Sequence, residues 1–153
     1  LHFKVQDMCE PLDEKFDAVF NLFTSFGYFK EETNNLNTLK AIKAELKPGG
    51  YGVIDFMNAK KVIRELVAED TKTVNGIKFH QKRWVENNFI FKQIDFEDHG
   101  EHFSFTERVK ALSLKDFKNY FDQAGIQLLN VFGDYQLQDF DEENSDRLIL
   151  IFQ

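Results

Sequence analysis

The residues from Phe16 to Phe56 fit a buried strand, a crossover helix and a second buried strand. Phe16 to Phe23 (F-D-A-V-F-N-L-F) is rich in Phe and Val and too short for a typical helix, so it reads as a strand covered on both faces. Thr24-Ser25 and Gly27 mark its exit into a loop. Glu31 to Leu46 is helical, with Leu36, Leu39, Ile42 and Leu46 forming one apolar stripe. Glu31 and Glu32 suit its positive end and Lys47 its negative end. Lys47-Pro48-Gly49-Gly50 then stops it, and Tyr51 to Phe56 is the second strand. Two strands joined by one crossover helix run parallel, with a right-handed connection. Ligands of such sheets bind beyond the carboxyl ends of the strands, which puts Asn21 to Tyr28 and Asp55 to Asn58 on the functional rim.

The flanking segments extend this unit. Leu1 to Gln6 alternates apolar and polar residues and is expected to be a strand, ending at Asp7-Met8 before a polar connection over Glu10 to Lys15. Asn58 can cap a helix over Ala59 to Asp70, with Val62, Ile63, Leu66 and Val67 on one face. The period then changes to two. Ile77 to Glu86, Phe89 to Glu97 and His102 to Ala111 form an antiparallel meander, joined through Asn87-Asn88 and Asp98-His99-Gly100-Glu101. With its lead-in, this meander occupies about 72–111 and reads as an insertion on an α/β core. Ser113-Leu-Lys-Asp116 is a capping box for a helix with Leu114, Phe117, Phe121 and Ala124 on its buried face, ended by Gly125. Ile126 to Tyr135 and Arg147 to Phe152 are the last strands. The acidic loop between them (Asp139, Asp141, Glu142, Glu143, Asp146) is expected to be solvated. The whole of 1–153 forms one domain.

Composition narrows the function. A net charge of −7 argues against a nucleic-acid backbone as partner, since that binding is built on Lys and Arg. A single cysteine, Cys9, cannot form an internal disulfide and fits a reducing, cytoplasmic compartment. No apolar run approaches membrane-spanning length, so no membrane partner is expected. The chain starts at Leu1 without an initiator Met, as expected of a processed chain or a piece of a longer one.

P-loop, G-x-S-x-G, H-E-x-x-H and paired-Cys signatures do not occur, and no metal site is expected. No catalytic residue stands out. His80, His102 and Tyr135 are the candidates, with Trp84 and Glu107 on the substrate side, and packing explains each of them more simply. The sheet edge is the distinctive feature. Asp7 can accept a hydrogen bond from an exocyclic amine, and Met8 offers a polarisable surface to a ring.

At these positions the sequence resembles the class I S-adenosylmethionine-dependent methyltransferases. The resemblance rests on V-Q-D-M at Val5–Met8, F-D-A-V-F at Phe16–Phe20, F-T-S-F-G-Y at Phe23–Tyr28 and L-K-P-G-G at Leu46–Gly50. A-G-I at Ala124–Ile126 and G-D-Y at Gly133–Tyr135 complete the ordered set. D-M followed by F-T-S-F-G-Y looks like the small-molecule branch that includes amino-sugar N-methyltransferases. The resemblance implies S-adenosyl-L-methionine as cofactor, with Asp7 accepting from the adenine amino group and the backbone of Met8 at the ring edge. Asn21, Leu22 and Phe23 would lie beside the methionine part, and Tyr28 would help close the pocket. Methyl transfer to a small-molecule N or O acceptor by in-line displacement needs mainly positioning. The meander would supply the acceptor platform.

The family's glycine-rich loop and the acidic residue that holds the ribose are missing here. In the family's sheet order, 3-2-1-4-5-7-6, this chain would supply strands 3-4-5-7-6 and lack strands 1 and 2, a partial Rossmann-like sheet with an inserted meander. The strand at Phe16 would then lack its neighbour. Three outcomes stay open: strand 3 pairs differently, another chain covers the edge by self-association, or upstream residues fill the gap. Cofactor binding by the 153 residues alone is expected to be weak or nil. The rival readings are a non-catalytic binding module of the same fold and a nicotinamide-dependent dehydrogenase, which the missing glycine fingerprint disfavours.

Overall fold

The computed structural model describes residues 2–153. The expected strand–helix–strand unit forms as β1 (Phe16–Asn21), α1 (Glu32–Glu45) and β2 (Leu46–Met57), with β1 and β2 parallel and Asn21 opposite Ile54. The remaining elements are α2 (Ala59–Arg64), β3 (Glu69–Val74), β4 (Ile77–Glu86), β5 (Phe89–Asp98), β6 (Glu101–Lys110), α3 (Leu114–Ala124), β7 (Leu128–Phe132) and β8 (Arg147–Phe152). They build two four-stranded sheets. One is mixed, in the order β1-β2-β8-β7, and the other is the antiparallel meander β3-β4-β5-β6.

β2 begins at Leu46 and takes in residues 47–50, expected only as the stop after the helix, and four further segments differ from expectation. Residues 2–6 form no strand; Phe3 and Val5 stand in solvent, and Leu1 lies outside the described residues. Alternation specifies a strand only where a neighbour covers one face, and the sheet here offers none to this segment. The five-strand order is therefore not what forms. β1 is the edge of the mixed sheet, which is why it is not buried on both faces: Phe20 keeps 62% of its surface exposed. The helix after Asn58 ends at Arg64 rather than Asp70, because Glu69–Val74 joins β4 as a fourth meander strand. Thr71, Thr73 and Val74 favour a strand, and Asn75-Gly76 (φ 51° and 85°) makes the tight turn that pairs it. Finally, the strand expected over Ile126–Tyr135 is confined to Leu128–Phe132, where it pairs with β8.

The core is a chain of aromatic rings. Phe117 of α3 lies 5.4 Å from Phe26 and 5.3 Å from Phe56 of β2, and Phe121 lies 4.8 Å from Phe152 of β8. All five rings are buried. α3 is aimed at this cluster by its capping box: Ser113 Oγ accepts from the Asp116 amide, and Asp116 Oδ2 accepts from the Ser113 amide at 2.8 Å. Gly125, at φ 65°, ends the helix in the left-handed conformation. α1 docks alongside through Lys43, whose ammonium donates to the Ala124 and Gly125 carbonyls at the negative end of α3. Ile90 and Val109 carry the meander into the same core, and the Lys110 amide donates to Gly27 O at 2.8 Å. The loop after β1 is thereby pinned between the two sheets.

The acidic loop is more ordered than its charge implies. Asn58 Nδ2 donates to the carbonyls of Glu142 and Ser145, and Lys60 and Lys61 pair with Glu143 and Asp146. These contacts clasp the 133–146 loop against α2.

Candidate functional site

β1 and β2 run parallel, so their carboxyl ends open on one side, and the loop from Leu22 to Tyr28 leaves from that edge. Two successive residues of this loop, Phe23 (φ 58°) and Thr24 (φ 59°), adopt the left-handed conformation. It costs an L-residue about 1–2 kcal/mol, and Thr, being β-branched, visits it least readily. Something must hold them there, and Asp55 does. The Phe23 amide donates to Asp55 Oδ2 at 3.0 Å, and the Thr24 amide donates to Asp55 O at 2.9 Å.

Asp55 is almost wholly buried, with 2% of its surface exposed. Its charge is met by Arg147, whose Nε donates to Oδ1 at 2.7 Å and whose Nη2 donates to Thr24 Oγ1 at 3.1 Å. Arg147 pairs with Met57 across the β2–β8 ladder, so it shares a face with Asp55, two residues back, and reaches it diagonally. The Tyr135 hydroxyl donates to Asp55 Oδ2 at 3.0 Å, and Arg147 Cζ lies 6.0 Å from the centre of the Tyr135 ring. Burial, and then this bond to Asp55, raise the Tyr135 phenol above its ordinary pKa. Removing one partner of such a buried pair costs about 3–5 kcal/mol.

Asn21 closes β1 with its side chain buried and its Oδ1 without a hydrogen-bond partner. A buried acceptor left this way costs about 1–3 kcal/mol. It lines a cleft of ≈ 190 Å³ with Gln6, Met8, Phe20 and Thr38. Met8 is brought there by the segment laid along α1, where Cys9 Sγ approaches Asn34 O and the Leu12 amide donates to Glu45 Oε1. Asp7, exposed beside it, accepts from the Cys9 amide at 2.9 Å. Leu22 and Phe23 are exposed on the rim. Of these residues, Met8 and Asn21 line one cleft; Asp7 precedes Met8 in the chain, and Leu22 and Phe23 follow Asn21 out of β1.

The substrate-side candidates divide. Tyr28 lies within the field of Glu107; burial, and then that charge, raise its pKa. Glu107 pairs with Lys92 at 3.6 Å, on the meander face that carries Val109 into the core. Trp84 sits in register with Arg108, one step off Glu107, and therefore faces the opposite side, stacked on Phe91 at 5.0 Å. His80 and His102 occupy that opposite face too, flanking a hollow of ≈ 700 Å³ whose lining comes entirely from β4, β5, β6 and their turns. His80 Nδ1 lies 3.1 Å from Thr71 Oγ1. Tyr135 joins the rim through Asp55, whereas His80, His102 and Trp84 do not. Among the described residues no cluster of three or more metal-ligating side chains occurs.

Asp55 and Arg147 were not singled out from sequence as side chains, although a signal was present. An acid inside the apolar run V-I-D-F-M and an arginine opening R-L-I-L-I-F each set a charge in an otherwise apolar strand. Asp55 also lies within β2 and not in a loop after it.

A parallel strand pair within a mixed sheet, a helix crossing between its strands and an antiparallel sheet beside it make this an α/β protein. More particularly, the chain has the fold of the class I S-adenosylmethionine-dependent methyltransferases. It superposes over 98% of its length, at TM-score 0.86 and 17% identity, on an S-adenosylmethionine-dependent methyltransferase from Clostridium acetobutylicum, covering 63% of that chain. The CcbJ methyltransferase from Streptomyces caelestis matches 95% of this chain and 61% of its own, at TM-score 0.78 and 14% identity. An amino pentose methyltransferase from Micromonospora echinaspora, in its S-adenosylmethionine-bound form, matches 97% and 62%, at TM-score 0.65 and 16% identity. The chain therefore spans less than two thirds of these proteins. No family model matches the sequence. A 66-residue stretch, 43% of the chain, is 29% identical to the acyl-carrier-protein–UDP-N-acetylglucosamine O-acyltransferase of two strains of Rickettsia bellii, and spans only 24% of it. Among the described residues no helix is long and apolar enough to cross a membrane.

Proposed function

We propose that this chain is the C-terminal part of a cytoplasmic methyltransferase that uses S-adenosyl-L-methionine to methylate an N or O atom of a small molecule. The observation that carries the proposal is the fold shared with such enzymes over 98% of the chain. The rim supports it: Asn21 and Met8 line one cleft beside β1. β1, β2, β8 and β7 take the places of the family's strands 4, 5, 7 and 6, and the meander is an insertion on this single domain. When bound, S-adenosyl-L-methionine supplies an electrophilic methyl on a sulfonium. The protein's part is placement. Asp7 would accept from the adenine amine with Met8 beside the ring, Asn21, Leu22 and Phe23 would hold the amino-acid end, and Tyr28 would help close the pocket. Glu107, on the Tyr28 side, attracts an amine acceptor and can take its proton before transfer. Tyr135 borders the same rim through its bond to Asp55. The SAM-bound amino pentose enzyme among the structural matches supports an amino-sugar type of acceptor.

Calorimetric titration of S-adenosylhomocysteine tests this. The chain joined to its upstream coding sequence is expected to bind in the micromolar range, and Asn21→Ala or Asp7→Ala to weaken binding about tenfold, which is about 1.4 kcal/mol. The 153 residues alone are expected to bind poorly. Absence of binding by the extended protein would leave the non-catalytic module as the better reading.

A further inference from the structure

Asp55 does more than neutralise Arg147. Its carboxylate accepts from the Phe23 amide, the Tyr135 hydroxyl and Arg147, while its backbone oxygen accepts from the Thr24 amide. Arg147 reaches past it to the Thr24 hydroxyl. Three of these bonds end on Phe23 and Thr24, two successive non-glycine residues in the left-handed conformation. Phe23, 76% exposed, is held so that its ring stands out from the rim next to Asn21. A salt bridge that served stability alone would not need its carboxylate to hold the Phe23 amide while its arginine reaches the Thr24 hydroxyl.

We propose that Asp55 is a positioning residue. It forces Phe23 and Thr24 into the left-handed conformation, shaping the rim that receives the amino-acid end of the cofactor, and Tyr135 locks the carboxylate in the orientation this requires. The role presupposes the methyl-transfer reading above. It acts through the loop: Asp55 itself, buried among Phe23, Thr24, Tyr135 and Arg147, has its oxygens occupied by protein donors.

The test uses the chain joined to its upstream coding sequence, with S-adenosylhomocysteine as the probe. Asp55→Asn is expected to weaken binding tenfold or more and to speed hydrogen exchange at the Phe23 and Thr24 amides. Thr24→Gly in that background is expected to recover most of the affinity, because glycine enters the left-handed region freely, without restoring the lowered thermal midpoint. A purely stabilising ion pair would show no such recovery. Thr24→Pro forbids a positive φ while leaving Asp55 and Arg147 paired, so it serves if Asp55→Asn does not fold; it is expected to fold and lose affinity. Unchanged affinity in Asp55→Asn or in Thr24→Pro, or no recovery with Thr24→Gly, overturns the role alone. Failure of the unaltered extended protein to bind at all removes the methyl-transfer reading and this role with it.

Discussion

Gly52 sits in β2 directly across the ladder from Phe152, and the ring of Phe152 lies over it. A methyl group there would collide with ring atoms that are themselves packed against Phe121. Gly52→Ala is therefore expected to cost about 1–3 kcal/mol, the usual range for overpacking, read as a fall in denaturation midpoint at constant slope. At the rim the balance differs. Tyr135→Phe deletes one hydrogen bond to a charged group and leaves Asp55 with its other donors, so a loss of about 1.5–3 kcal/mol is expected by the same measurement. From sequence, Asn21 and Tyr28 were legible as rim residues because a strand's end and a glycine-bearing loop mark them. Asp55's four-way role was not, because Arg147 lies 92 residues away and only the β2–β8 pairing brings the two together.

At the level of elements, local signals were enough wherever the stabilising contacts are local. The capping box of α3 is one such case, and Ser113→Ala is expected to cost about 1 kcal/mol in a denaturant titration. The Asn87-Asn88 and His99-Gly100 turns are another, each with two positive φ angles as a tight hairpin requires. β3 escaped because Glu69–Val74 is exposed on both faces and shows no alternation, although Asn75-Gly76 announced a hairpin. The tie between α1, β6 and α3 has a pH signature. Glu32 accepts from Lys110 and from the Tyr120 hydroxyl, and these bonds hold its carboxyl below the ordinary glutamate value of 4.5. A carboxyl lowered on folding stabilises the fold above the unfolded pKa and ceases to as pH falls through the folded one. Glu32→Gln is expected to be slightly less stable than the parent at neutral pH and equal to it below the folded value, in paired denaturation curves. The carboxylate is largely exposed, so the difference will be small and will shrink further in high salt.

Across the whole molecule, the open side of β1 is the outstanding feature. An edge strand with Phe20 exposed, beside an extended segment carrying Phe3 and Val5 in solvent, is a template for strand pairing. The 153-residue chain is expected to self-associate across this edge with rising concentration, and Phe20→Lys to shift it toward monomer in sedimentation velocity; a monomer at all concentrations would dismiss the idea. The sequence by itself determined the strand–helix–strand unit, the meander and α3, because each is written in periodicity, caps and turns whose energetics involve near neighbours. It also put Asn21 at the end of β1, where the chain leaves the sheet. Tertiary structure alone decided that residues 2–6 join no sheet, that β1 is an edge, and that Trp84 and Glu107 look in opposite directions. It alone joined Asp55 to Arg147, Tyr135 and the Phe23–Thr24 turn. Those outcomes depend on which surfaces meet across long stretches of chain, and a buried charge acquires its role only when its distant partner arrives.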